Sequence, residues 1–279
     1  MRVFAFADEA SPMIDQQITA MLRNGLNGLE IRNADRVNVS EISLAKAREI
    51  RQKLEDAGLI TWSIGSPIGK IDIETGDFCT HLERFRHTLD VAHTLGAENI
   101  RLFSFFIPQG KDPAAYGGEM IDRLGQFLDL AADSGIDLCH ENEKGIYGDT
   151  AARCVELHQA LPRLKGIFDP ANFIQCGQNT TEAWAMLQPY IKYMHIKDAL
   201  PNGDVVPAGK GEGNLPAILS AFQQQGDALT LEPHLAVFAG LQALEREGDT
   251  SGIGKYVFGS NDEAFDAACA ALRDLLNQL

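Results

Sequence analysis

Short apolar runs alternate along the chain with longer segments in which apolar residues recur every three or four positions. Such runs are typical of buried strands, and the longer segments are typical of amphipathic helices. In the segment after the first run, for example, Ile14, Ile18 and Met21 would share one helix face. The pattern predicts eight strands, at 3–7, 28–31, 59–64, 99–105, 136–141, 166–169, 191–196 and 228–231.

Each predicted strand is followed by a helical segment, and glycines such as Gly58 and Gly96 stand where helices commonly end. Ser11-Pro12 predicts the start of the first helix, with the serine as N-cap. Near-continuous apolar strands alternating with helices favour a parallel sheet covered by helices, and eight units favour closure. The prediction is therefore an α/β fold, a single (β/α)8 TIM barrel domain over residues 1–279. That fold typically takes about 250 residues.

The charge of the chain narrows the choice of partners. The formal net charge is −15, and no stretch is rich in lysine and arginine. Nucleic-acid-binding proteins usually need a basic face that replaces counterions on phosphates, so we expect no nucleic-acid partner. A local positive pocket for a single phosphate group stays open at this point. Neither a GxGxxG nor a GxxxxGK[ST] motif follows the first strand, which argues against the usual dinucleotide and P-loop sites.

The cysteines and the N-terminus indicate the compartment. The five cysteines are scattered and show no CxxC spacing, which is typical of free thiols in a reducing compartment. Acidic residues follow the first few apolar positions, and no window of about 18 apolar residues could span a membrane. We therefore expect a cytoplasmic protein with no membrane partner.

The last four predicted strands each end in one group that can bind a metal ion. In TIM barrels the active site lies at the carboxyl ends of the strands, and neighbouring strands are about 4.8 Å apart. Three crowded carboxylates repel one another, and a cation removes that cost. Together with an imidazole they suit one divalent ion, namely Mn²⁺, Co²⁺, Mg²⁺ or Zn²⁺. The four residues are Glu141, Asp169, His195 and Glu232.

A single acid or histidine at a strand end is usually a solvated or capping residue, but four on consecutive strands favour a metal site. Lys197 has the same strand parity as His195 and would hold an oxyanion or a phosphate, unless it is a solvated lysine. Other polar residues near strand ends or in loops are candidate contacts for substrate hydroxyl groups. They are Glu9, Glu30, Arg32, Ser66, Arg101, Lys210 and His234.

Four short strings carry a resemblance to a known family. HENE (140–143), FDPANF (168–173), HIKDA (195–199) and LEPHL (231–235) resemble the sugar phosphate isomerase/epimerase family of the xylose isomerase-like barrel superfamily. That superfamily includes ketose 3-epimerases, hydroxypyruvate isomerase, inosose dehydratase and endonuclease IV. The segment 207–213 resembles the family's glycine-rich loop after strand seven. The resemblance covers essentially the whole chain, and it is specific for the superfamily but weak for the substrate.

The resemblance implies roles for individual residues. It places the metal ligands at the same four residues, and it makes Glu141 and Glu232 the acid/base pair on opposite faces of the substrate. Ketose 3-epimerases carry a histidine three residues after the ligand aspartate, where this chain has Asn172 as a substrate contact. Endonuclease IV has a larger set of zinc-binding histidines. This chain has seven histidines, four of them in predicted helices, so a trinuclear zinc cluster is not expected.

Such a site suits proton transfer next to a carbonyl. Loss of that proton leaves an enediolate, which a metal ion stabilises while a carboxylate takes the proton. Returning the proton to the other face gives epimerisation, and returning it to the neighbouring carbon gives isomerisation. We therefore predict a metal-dependent isomerase or epimerase, with manganese among the candidate ions, acting on a sugar, a sugar phosphate or a related polyol ketone.

Three alternatives stay open. Loss of a β-hydroxyl on the same scaffold would give a dehydratase of the inosose or 3-dehydroshikimate type. An AP endonuclease is opposed by the acidic balance of the chain. A sugar-binding barrel with a vestigial site is opposed by the complete ligand set. Many members of the family are dimers or tetramers, so a homo-oligomer is expected by resemblance.

Overall fold

Eight parallel strands close into a barrel in the computed structural model, which describes residues 1–238, 252–253 and 256–279. Neighbours in the sequence are neighbours in the barrel, and the last strand pairs with the first through Ala5 and Leu231. The predicted TIM barrel is therefore confirmed. The strands are β1 (Arg2–Ala5), β2 (Gly28–Ile31), β3 (Ile60–Ile64), β4 (Asn99–Leu102), β5 (Asp137–Glu141), β6 (Lys165–Phe168), β7 (Ile191–Ile196) and β8 (Ala228–Leu231).

Helices surround the barrel, and none in the described part of the chain is long and apolar enough to cross a membrane. Several begin at a side-chain N-cap; Ser43 and Asp77 are two of these. Gly96 ends the third helix at φ +72°. The helices are α1 (Ile14–Asn24), α2 (Leu44–Asp56), α3 (Phe78–Leu95), α4 (Gly117–Leu130), α5 (Ala151–Ala160), α6 (Pro170–Gln175), α7 (Thr180–Leu187), α8 (Leu215–Phe222) and α9 (Asn261–Leu276).

Three of the boundaries predicted above differ from the observed ones by more than one residue, each because a contact distant in sequence or a local turn takes over. Helix α1 begins at Ile14, whose N–H donates to Asp35 at 3.0 Å, and Ser11 is not its N-cap. Strand β1 ends at Ala5 because residues 7–9 form a 3₁₀ turn. Strand β4 ends at Leu102, and the chain turns at Phe105, whose φ is +51°.

The barrel interior is apolar at one end and polar at the other. At the amino end of the strands, Phe4 stacks on Trp62 with ring centroids 4.9 Å apart, and Tyr193 meets Trp62 edge-on. Met194 and Ile196, which alternate with Tyr193 and His195 along β7, pack in the layer between strands and helices. Side-chain alternation therefore directs His195 into the barrel, above the aromatic layer and towards the carboxyl ends of the strands.

His81 in α3 makes the fold sensitive to acid. Its Nε2 accepts the backbone N–H of Gly69 at 2.7 Å, so this nitrogen must be unprotonated, and burial lowers the pKa of His81 to about 4. The unfolded chain regains a pKa of about 6.5 and therefore takes up the proton first. We expect the free energy of unfolding to fall by an amount on the order of 3 kcal/mol between pH 6.5 and pH 4, from this group alone.

Urea unfolding of the wild type and of His81→Gln, each at pH 7 and pH 4, measures this contribution. The variant should lose less stability over that interval than the wild type loses. Equal losses in the two proteins would show that His81 titrates alike in the folded and unfolded chains.

Candidate metal centre

Four side chains converge where strands β5 to β8 meet their loops. Glu141 closes β5, Asp169 follows β6, His195 is the penultimate residue of β7, and Glu232 follows β8. All four are buried, and one potential ligand atom from each lies within 4.8 Å of the others. His195 Nδ1 is 2.7 Å from Glu141 Oε1 and 3.7 Å from Glu232 Oε2. The structure thus brings the four predicted ligands to one point.

The chemistry of this cluster fits a divalent cation. Two buried oxygens, Glu141 Oε2 and Asp169 Oδ2, each lie beside a cationic side chain but accept no hydrogen bond of good geometry from the described residues. Six buried carboxyl groups belong to the surrounding network, against three permanent cations, so full ionisation of the acids with neutral histidines would leave three negative charges unbalanced. The carboxyl groups are those of Asp8, Glu9, Glu30, Glu141, Asp169 and Glu232, and the cations are Arg32, Arg101 and Lys197.

Protons balance part of this charge when no cation is present. Burial alone would lower the pKa of His195, but Glu141 and Glu30 outweigh it and raise that pKa to about 10. Burial raises the pKa of Asp169 to about 7, although Lys197 opposes the shift. Burial opposes ionisation of Glu141 as well, but His195 and Arg101 hold its pKa at about 2. A bound cation would have to displace the protons on His195 and Asp169.

Glu30 orients the imidazole of His195. His195 Nε2–H donates to Glu30 Oε2 at 3.1 Å, and Glu30 Oε1 accepts from the hydroxyl groups of Tyr193 at 3.0 Å and Ser63 at 3.3 Å. This arrangement leaves Nδ1 of His195 facing the ligand carboxylates. Glu30 was predicted as a contact for substrate hydroxyls. It lies instead on the Nε2 side of the His195 ring, away from the carboxylates at Nδ1. A carboxylate in this position fixes the tautomer and the direction of a metal-binding histidine.

Replacing Glu30 by Gln is expected to weaken binding of a divalent cation by about 10- to 100-fold, because the amide holds the His195 ring less firmly and donates less charge to it. Calorimetric titration of chelator-treated protein with Mn²⁺ or Zn²⁺ measures the change. Glu74→Gln is a matched control, since Glu74 also accepts from a tyrosine hydroxyl, that of Tyr116 at 2.6 Å. Equal affinity of both variants for the cation would show that Glu30 does not contribute to cation binding.

Arg32, Glu9 and His234 surround Glu232. The Arg32 guanidinium pairs with both oxygens of Asp8, with Glu9 at 3.1 Å and with Glu232 at 3.2 Å. His234 donates its backbone N–H to Glu9 at 2.6 Å, and its Nε2 is 3.5 Å from Glu232 Oε1. Glu9, Glu232 and His234 form a second group of potential metal-binding side chains, and the positive charge of Arg32 beside it opposes a second metal ion there.

Arg101, Asn172 and Lys197 border the predicted ligands on the other side. Arg101 Nη1 is 3.2 Å from Glu141 Oε2, and Asn172 Nδ2 is 3.5 Å from Glu141 Oε1. The Lys197 ammonium lies between two of the predicted ligands, 2.9 Å from Asp169 Oδ2 and 2.9 Å from Glu232 Oε2. These three residues and those around Glu232 therefore surround the cluster of predicted ligands.

The structure does not bring two predicted substrate contacts to the ligands. The Ser66 hydroxyl donates to the carbonyl of Arg101 at 2.5 Å and accepts from the N–H of Ile68, so it stabilises a loop. Lys210 is exposed in the glycine-rich loop. For both residues, a role in binding substrate stays a prediction.

Two polar residues of the site escaped the sequence analysis. Asp8 binds Arg32, and Asn142 links the ends of β5 and β6 by exchanging two hydrogen bonds of 2.9 Å with the backbone of Asp169. A sequence signal existed in both cases, since Asp8 precedes Glu9 and Asn142 follows Glu141 directly. Among the histidines, His195 and His234 lie at the site, whereas His81, His140 and His158 are bound within the helix layer.

Comparisons with known proteins agree with the barrel. The structure is similar to that of the probable 3-DHS dehydratase AsbF of Bacillus anthracis, with 17% identity, a TM-score of 0.73, and coverage of 98% of this chain and 99% of that one. It is also similar to the IOLI protein with a bound zinc atom, with 17% identity, a TM-score of 0.76, and coverage of 100% and 99%. A D-psicose 3-epimerase crystallised with D-fructose gives 19% identity, a TM-score of 0.74, and coverage of 98% of each chain.

No curated protein matches the chain at a significant level. The family model described as "Xylose isomerase-like TIM barrel" matches residues 18–247, which is most of the sequence. The match includes the four converging strand ends, and the eight-stranded barrel is the fold that this description names. The chain belongs to the xylose isomerase-like TIM barrel family.

Proposed function

We propose that this protein is a divalent-metal-dependent isomerase or epimerase that moves a proton next to the carbonyl of a sugar, a sugar phosphate or a related polyol ketone. The observation that carries the proposal is the buried convergence of Glu141, Asp169, His195 and Glu232. A divalent ion held by these residues, proposed to be Mn²⁺, Co²⁺, Mg²⁺ or Zn²⁺, would supply Lewis-acid polarisation of a substrate oxygen. The similarity to a D-psicose 3-epimerase and to the zinc-containing IOLI protein supports this choice.

Glu141 and Glu232 are the proposed acid/base pair. They come from β5 and β8, with β6 and β7 between them, so they approach a bound substrate from two sides. One carboxylate takes the proton next to the carbonyl, and the other delivers a proton to the opposite face or to the neighbouring carbon. Arg32 and Arg101 hold these two glutamates in place through contacts of 3.2 Å.

The remaining polar groups are proposed to bind and orient the substrate. Lys197 and Asn172 can donate to hydroxyl or carbonyl oxygens, and Glu9 and His234 can bind hydroxyl groups on the Glu232 side. All four lie within 3.5 Å of a proposed ligand or of a residue that contacts one. Because Glu9 and Asn172 are held by buried hydrogen bonds and ion pairs, they need little reorganisation when the substrate arrives.

The test is a metal-reconstitution screen in deuterated water, followed by NMR. Chelator-treated protein is expected to be inactive, and adding back Mn²⁺, Co²⁺, Mg²⁺ or Zn²⁺ should restore exchange of a substrate proton next to the carbonyl. The ion should also raise the stability of the fold, by about 4 kcal/mol at a thousand times its Kd. A protein that takes up none of these ions, even at saturating concentration, would contradict the proposal.

A dehydratase on the same residues is the second candidate. The buried ammonium of Lys197, next to Asp169 and Glu232, is placed to serve a departing hydroxyl group, and the similarity to a probable 3-DHS dehydratase supports this alternative. Product analysis separates the two reactions. Dehydration releases water and forms a UV-absorbing unsaturated carbonyl, whereas isomerisation conserves the mass of the substrate.

A further inference from the structure

The side chain of Asn142 continues the pairing of β5 with β6 where the strands themselves stop. The backbone pairing of β5 with β6 ends at Glu141 and Ile167, two residues before Asp169. The pairing of β6 with β7 ends at Phe168. Asn142 Oδ1 accepts the backbone N–H of Asp169, and Asn142 Nδ2 donates to the carbonyl of the same residue, both at 2.9 Å. One side chain therefore binds both backbone groups of a residue that lies beyond the strand pairing.

Pro170 and Asn172 restrict the same aspartate from the following helix. A residue before proline avoids the helical region, and Asp169 has extended backbone with φ −109° and ψ 108°. Asp169 Oδ1 accepts the backbone N–H of Asn172 at 2.9 Å, as the N-cap of α6. The amide of Asn172 donates to the carbonyl of Asn142 at 2.8 Å, which closes a ring of hydrogen bonds. Asn142 and Asn172 thus form a clamp around Asp169.

The clamp determines which oxygen of Asp169 faces the cluster of predicted ligands. Oδ1 is taken by the N-cap bond, whereas Oδ2 lies 2.9 Å from the Lys197 ammonium and accepts no hydrogen bond of good geometry from the described residues. Oδ2 is therefore the oxygen left for a cation. Because the backbone of Asp169 and its other oxygen are fixed, the carboxylate needs little rearrangement to bind an ion.

The chemistry of an amide side chain explains why asparagine stands at position 142. An amide offers an acceptor oxygen next to an NH₂ donor, and the backbone of Asp169 presents a donor and an acceptor to it. Leucine has a similar size but offers neither group. Asn142 is 2% exposed and Asp169 is 0% exposed, so a substitution would leave buried backbone groups unpaired, which is costly.

We propose that Asn142 is a positioning residue of the metal centre, which holds Asp169 through its backbone and so keeps Oδ2 in place before an ion arrives. The inference rests on the proposed function, since Asp169 is a proposed ligand of the ion. It assigns Asn142 no contact with the ion or with the substrate. Outer partners of metal ligands typically change metal affinity by about 10- to 100-fold, and we expect Asn142 to act on this scale.

The first experiment compares Asn142→Leu with Asn99→Leu by thermal unfolding and by calorimetric titration of chelator-treated protein with Mn²⁺. Asn99 is the matched control, because it is also buried and donates from Nδ2 to a backbone carbonyl, that of Trp62 at 3.0 Å, but at the amino end of β4. Both variants should melt at a lower temperature than the wild type. Only Asn142→Leu should bind Mn²⁺ about 10- to 100-fold more weakly. Equal affinity of the two variants would overturn the inference.

The second experiment needs neither a variant nor an ion. Hydrogen exchange of the Asp169 backbone N–H is followed by NMR in the metal-free wild type. A clamp that exists before the ion arrives should slow this exchange by about a hundredfold or more relative to an unstructured peptide, whereas exchange at the peptide rate would overturn the inference. This measurement decides if Asn142→Leu does not fold. A wild type that takes up no Mn²⁺ would contradict the proposed function, and a protected N–H would still support the clamp.

Discussion

Replacing Glu232 by Gln is expected to lower kcat by about 10²- to 10⁴-fold, the range that a positioned general acid or base contributes. Gln keeps the size of the side chain and one oxygen, but it can neither take nor release the proton next to the carbonyl. Glu141→Gln should have the same consequence, because an epimerisation needs both partners. The measurement is NMR-detected exchange and product formation by each variant at saturating Mn²⁺.

The comparison must separate proton transfer from loss of the ion. Calorimetric titration of each variant gives its affinity for Mn²⁺, and the rates are compared only where the site is filled. Glu143→Gln is the matched control, since Glu143 stands two residues after Glu141 but pairs with Lys70 at 3.0 Å. The control should retain wild-type kcat. Full activity of metal-loaded Glu141→Gln and Glu232→Gln would refute their proposed roles in proton transfer.

The fold could be predicted from the sequence because local patterns determine it. Strands β2, β7 and β8 begin and end at the predicted residues, where apolar runs stop at polar or turn residues. The start of α1 was mispredicted because its partner is remote. The N–H of Ile14 donates to Asp35, which lies in another segment, and no local sequence pattern predicts that contact.

The metal ligands could likewise be found from strand ends, but their supporting residues could not. Glu30 and His195 are 165 positions apart and meet only because β2 and β7 face each other across a closed barrel. Periodicity gives the direction of each side chain and not its partner. Asp198 shows the same limit, since the sequence displays alternating glycines but not the carboxylate that they enclose.

Lys197→Met is expected to change metal affinity and turnover in opposite directions. In the metal-free protein the ammonium holds Asp169 and Glu232 together, so it competes with a cation for the same two carboxylates. Methionine keeps much of the side-chain length and removes the charge. Because repulsion between the ammonium and the ion disappears, the variant should bind Mn²⁺ at least about tenfold more tightly. Turnover should fall by about a hundredfold, because a fixed donor to the substrate is lost.

The stability of the variant should reveal the same competition. Without a cation, Asp169 and Glu232 are left buried next to each other, and breaking a buried pair in this way costs about 3–5 kcal/mol. Saturating Mn²⁺ should recover most of that loss, since the ion then supplies the missing positive charge. Lys192→Met is the matched control, because Lys192 lies on β7, which Lys197 directly follows, but pairs with the half-exposed Asp137. Weaker Mn²⁺ binding by Lys197→Met than by the control would mean that the ammonium supports the ion instead of competing with it.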